Sequence, residues 1–85
     1  MIVKAEEMAN MSMCEILENA IQKEIDAFDY YNTAAKYVGN EKIKSLLLTL
    51  ATIEEGHRKQ LEGHLTELKA HDELCGAMTL RYEKG

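Results

Sequence analysis

The sequence predicts an all-α fold: two long antiparallel helices followed by a short C-terminal helix or tail. Three observations carry that prediction. Two stretches place apolar residues at alternating steps of four and three, the repeat of a helix with one packed face. A single turn signal, Gly39-Asn40, separates them. The chain contains no proline, so nothing in it forces a kink inside either stretch.

Residues 1–11 read as a flexible N-terminus whose methionines suit loose packing better than a soft-metal site. Ser12 followed three residues later by Glu15 makes a capping box, so helix one begins near Met13. Its seam runs Leu17, Ile21, Glu24, Phe28, Tyr31, Ala35 and Val38, with Glu24 its one charged member. Gly39 suits the left-handed conformation that ends a helix, and Asn40 suits the cap of the next. Helix two is expected from about Glu41 towards His71, with the seam Ile43, Leu47, Leu50, Glu54, His57, Leu61, His64 and Leu68. Gly56 and Gly63 each weaken it by about 1 kcal/mol relative to alanine, and their small size suggests close helix approach. Residues 72–85, with Leu74, Met78, Leu80 and Tyr82, are expected as the short third helix or ordered tail.

Residues 1–85 form one small domain, and a chain this short buries only a modest share of its surface alone. Two helices cannot cover each other's apolar seams, so two hairpins are expected to pair into a four-helix bundle, as a homodimer or a larger multiple. The net charge of −5 disfavours nucleic acid and anionic membranes and favours cations. No stretch is apolar for long enough to span a bilayer, and the first residues lack a secretory pattern, which makes a cytoplasmic location the expectation. Cys14 and Cys75 lack metal-site spacing and are expected as reduced structural thiols. A tail turning back towards helix one would leave a bridge between them open.

The seam of helix two is broken at its middle by Glu54-Glu55-Gly56-His57. Residues three apart share a helix face, so Glu54 and His57 can grip one metal ion. Glu24 lies fifteen residues before Gly39 and Glu54 fifteen after it. In an antiparallel hairpin that equality puts both at one height, roughly 23 Å from the turn. One chain then offers two carboxylates and one imidazole, and a two-fold axis would double the set. Four such carboxylates carry a charge that two divalent cations cancel, whereas without metal they repel. The mixed oxygen and nitrogen donors suit iron, with manganese and zinc as competitors.

Tyr31 sits seven residues from Glu24 on the same face, placed either to hydrogen-bond a metal-bound carboxylate or simply to pack. His64, seven residues beyond His57, reads as an outer partner, an extra ligand, or a polar residue near the bundle end. Glu55 and Glu62 are expected on a solvated face.

Glu24 followed by Glu54-x-x-His57 on paired helices resembles the ferritin-like superfamily, and the text from Ile16 to Leu68 looks like half of a rubrerythrin. The spacing is most similar to the half-ferritins known as encapsulated ferritins. That resemblance implies a di-iron ferroxidase centre at a dimer interface, with two iron ions per dimer. Glu24 and Glu54 would bind or bridge them, His57 would ligate one in each half, and oxygen or peroxide would accept the electrons. It also implies annular assembly of dimers and an encapsulin shell as partner and compartment. Lys23 departs from the family pattern, which can place a further acidic residue beside the helix-one ligand, and Asp26 and Asp29 offer the acidic approach instead. No docking tag is evident in residues 76–85.

Two other functions compete. A rubrerythrin-like peroxide scavenger would use the same ligands but draw electrons from a separate reductase, since no rubredoxin-type cysteine motif is present. A non-catalytic helical module would use the carboxylates, with or without an inert metal, only to fix register and oligomeric state.

Overall fold

The computed structural model describes residues 5–71 and 75, and those residues are all-α. Helix α1 spans Ala5–Ala9, α2 spans Met13–Tyr37 and α3 spans Glu41–Lys69. The expected short C-terminal helix or tail at 72–85 falls, apart from Cys75, outside the described residues. Helix α1 lies within the segment read as a flexible lead.

The capping box forms as the residue types dictate. Glu15 N–H donates to Ser12 Oγ at 3.1 Å, and Ser12 N–H donates to the Glu15 carboxylate at 2.8 Å. Ser12 is buried, so this closure also satisfies polar atoms cut off from water. At the start of α3, the Asn40 side-chain oxygen accepts from Ile43 N–H at 3.0 Å.

The turn corrects one expectation. Gly39 does not take a positive φ, and α2 instead ends at Val38 with extended backbone, φ −81° and ψ 136°. Asn40, the cap of the next helix, is extended too. A β-branched valine suits that conformation. Gly56 and Gly63 correct another, because a Cβ added at either would meet nothing within 4 Å. Within the hairpin they face open space, away from α2.

Helices α2 and α3 pack side by side into a slab of 56 × 26 × 13 Å. The thinnest dimension is about one helix diameter, so each long helix has one covered flank and one uncovered face. Among the described residues, only Cys14, Ile21, Ala35 and Ala51 are buried apolar side chains. Ile43, Leu46, Leu48 and Ile53 of α3 stay 43–51% exposed. That is too little core for a hairpin of this length to rest on.

Cys14 and Cys75 are joined by a disulfide, which overturns the expectation of reduced thiols. Their Cα atoms lie 5.2 Å apart, well inside bridging range. The bridge spans 61 positions and closes the open end of the hairpin, and loop-closure entropy assigns such a ring about 4 kcal/mol. The nearby Lys69–Glu18 pair is 3.7 Å apart with both side chains more than half exposed, so it adds little.

Two substitutions test this account in urea unfolding. Gly63→Ala should stabilise the chain by up to about 1 kcal/mol, because helix propensity improves and the new methyl meets nothing. Ser12→Ala should destabilise it by about 1 kcal/mol through loss of the cap.

Candidate metal centre

The register of the hairpin brings three of the sequence-selected residues together. Among the described residues, Glu24, Glu54 and His57 form a cluster whose ligand atoms lie within 4.8 Å of one another. His57 Nδ1 lies 3.5 Å from Glu54 Oε1 and 3.7 Å from Glu24 Oε1. Both separations exceed a good hydrogen bond. They approach the spacing set by a shared ion, since donors about 2.1 Å from one metal sit roughly 3.0–3.4 Å apart. A small contraction would close the set on a cation, so the residues fit a metal.

The two carboxylates are mostly covered, at 22% and 19% exposure, whereas the His57 side chain is 52% exposed. The cluster therefore sits at the rim between the covered flank and the open face. Steps of three and four run Ile43, Leu46, Leu50, Ile53 and His57 along that face of α3. The imidazole ends a stripe of apolar residues of which Ile43, Leu46 and Ile53 are exposed and Leu50 is half-buried.

Crowding of like charges shows in the protonation of Glu24. Its carboxyl is held above the usual carboxylate range, first by the hydrogen bond with Glu54, then by desolvation and the Glu54 charge, with His57 opposing. A second carboxylate this close favours the protonated form of Glu24.

Sequence reasoning passed over Arg58, which stands next to His57 and is three-quarters covered. It donates to both oxygens of Glu55 and, at 2.7 Å, to Glu62. The guanidinium draws the Glu55 carboxyl below its usual range. Glu55 and Glu62, expected on a solvated face, are thus half-buried and bound to a cation of their own. The spacing Glu55-x-x-Arg58-x-x-x-Glu62, with partners three and four apart, was the signal for this ladder.

The remaining candidates have other contacts. Tyr31 makes an edge-on ring contact with Tyr30 at 5.6 Å between centroids. His64 pairs with Glu67 at 3.5 Å, both well exposed, one turn of α3 short of its end. His64 is not part of the three-residue cluster.

The Glu24 shift gives a pH test. A carboxyl with a raised pKa favours the folded state while protonated, and that contribution is lost as pH rises through the raised value. Metal requires the deprotonated pair, so its affinity moves the other way. Thermal melts of the metal-free chain should show a Glu24 contribution that falls as pH rises from the acidic range, read as the difference from Glu24→Gln. Zn(II) affinity of the parent should rise over the same interval.

Comparison with known proteins agrees with this geometry. A family model described as Rubrerythrin matches residues 15–82, which contain α3, all but the first residues of α2, and all three clustered residues. Searches of curated proteins and of solved structures found no match. With its helical hairpin, its inward carboxylate pair and a match over most of its length, the chain belongs to the rubrerythrin family of the ferritin-like superfamily.

Proposed function

We propose that two copies of the hairpin pair through their open faces and that the doubled set of Glu24, Glu54 and His57 holds two iron ions as a ferroxidase. The observation that carries this reading is the placement of the ligand cluster beside a bare apolar stripe. A metal site for one chain alone would be better covered. Here the imidazole is half exposed and leucine and isoleucine side chains flank it, as expected of a surface that a second copy covers.

The residues divide the work. Glu24 from α2 and Glu54 from α3 supply negative charge across the helix pair, and a cation between them offsets their mutual repulsion. His57 supplies a neutral nitrogen donor at the exposed rim. Arg58 keeps Glu55 and Glu62 engaged on the neighbouring flank. Bound iron supplies one-electron chemistry, with Fe(II) as the substrate oxidised to Fe(III) and oxygen or peroxide as the electron acceptor. Manganese and zinc satisfy the same donors, so activity depends on the metal loaded.

The rubrerythrin match favours a second reading, in which the same centre removes peroxide and is re-reduced by a separate protein. Faster oxidation with peroxide than with oxygen, and no accumulated ferric mineral, would select it. The encapsulated-ferritin likeness rests on ligand spacing and on two long helices in one short chain. Annular assembly and an encapsulin compartment belong to that reading.

Alanine at Glu24, Glu54 or His57 should lower the rate of Fe(II) oxidation by more than about 100-fold, beyond the ~10–100-fold cost of losing an outer hydrogen-bond partner. Leu46→Lys combined with Ile53→Lys should leave the helices intact by circular dichroism while abolishing both dimer and oxidation. Oxidation by a monomeric variant would contradict the shared site. A dimer with no dependence on metal or on the three ligands would favour the non-catalytic module.

A further inference from the structure

The Cys14–Cys75 bridge is not needed to supply any ligand, yet its position couples it to all three. It closes a covalent ring that contains Glu24, Glu54 and His57. Along α2, Glu24 lies between Cys14 and the turn that begins at Val38. The relative position of α2 and α3 is therefore fixed at one end by the turn and at the other by the disulfide, with the ligands between. Among the described residues, the cross-helix ion pair at the open end is exposed, and the buried apolar side chains of the hairpin are few.

The two sulfurs stand in different surroundings. Cys14 is 5% exposed and occupies the second position of α2, directly after the Ser12 cap. Cys75 is half-buried and lies beyond the end of α3. An incoming thiolate meets Cys75 first. The leaving sulfur is then Cys14, whose negative charge the amide groups of the helix start stabilise.

We propose that Cys14–Cys75 is a thiol–disulfide exchange site for a dithiol reductant, and that opening it weakens metal binding at the Glu24–Glu54–His57 centre. The inference rests on the metal reading given above. One thiolate of the reductant attacks Cys75 Sγ, forming a mixed disulfide as the Cys75–Cys14 bond breaks and its electron pair leaves on Cys14. The second thiolate of the reductant attacks its own partner sulfur and releases Cys75. The reductant ends as a disulfide, and its two protons end on Cys14 and Cys75. With the ring open, the turn is the one covalent tie left between α2 and α3, side-chain packing alone aligns their far ends, and the pairing of Glu24 with Glu54 and His57 loosens. Oxidised chain retains metal and reduced chain releases it.

The test uses the full chain with Co(II) as probe, titrated against a competing chelator. Oxidised chain is compared with chain reduced by a phosphine and desalted anaerobically, and with the Cys14→Ser, Cys75→Ser double variant. Thiol alkylation and mass measurement establish the redox state, and circular dichroism establishes helicity. A coupling of ordinary size makes the reduced chain and the double variant bind Co(II) about tenfold or more weakly. Reoxidation should restore affinity in the parent alone. Equal Co(II) affinity in verified oxidised and reduced chain would overturn the proposal, as would a bridge that survives excess dithiol at equilibrium. Loss of helicity on reduction would also overturn it, by making the bridge a general staple. No Co(II) binding in either redox state would instead sink the metal reading and take the coupling with it.

Discussion

Two carboxylates held side by side across an antiparallel helix pair repel one another unless a proton or a cation lies between them, and the rest of this structure arranges itself around that constraint. The equal spacing of Glu24 and Glu54 from the turn makes the encounter unavoidable once the hairpin forms. Without metal, the conflict is relieved by holding a proton on Glu24 more tightly than usual. With metal, the same pair becomes an asset, and His57 stands within reach to complete the donor set. Arg58 resolves the neighbouring conflict differently, by binding Glu55 and Glu62 within α3. One flank of α3 thus carries acids neutralised by Arg58, and the other carries Glu54, which faces Glu24 of α2.

The slab is the second constraint. A hairpin 13 Å thick cannot bury both faces of its helices, and the described residues include no large side chain that is fully buried. Packing energy on this scale leaves a small chain marginal. The disulfide compensates by restricting the unfolded chain, and pairing with a second copy would compensate by covering Leu46, Ile53 and their neighbours. These two sources of stability act at different places. The bridge secures the ends of the helices, and the apolar stripe lies alongside the ligands.

Much of this was legible in the sequence, because it depends on local signals. Ser12 with Glu15 marked the start of α2 to the residue, and Asn40 marked the start of α3. Helical periodicity and equal counting from the turn then brought Glu24, Glu54 and His57 into one cluster, since both follow from fixed rise per residue. What escaped was whatever depends on the path of the chain beyond a helix or on which flank is covered. The partner of Cys14 could not be read because it depends on how the segment after Lys69 turns. Arg58 escaped because a seam drawn through Leu50, Glu54 and His57 points partly at the open face, whereas the flank against α2 runs nearer Ala51 and Arg58. Gly39 suits a left-handed helix end but does not adopt one, because extended backbone at Val38 already ends the helix.

The central claim is that the metal centre belongs to two chains at once. Native mass spectrometry of the full chain during an anaerobic Fe(II) titration tests it most directly, because mass reports chain count and metal count together. The account predicts species built from pairs of chains, with two iron ions per pair and no loaded monomer. A monomer carrying iron, or a dimer whose formation and iron content are unrelated, would contradict it.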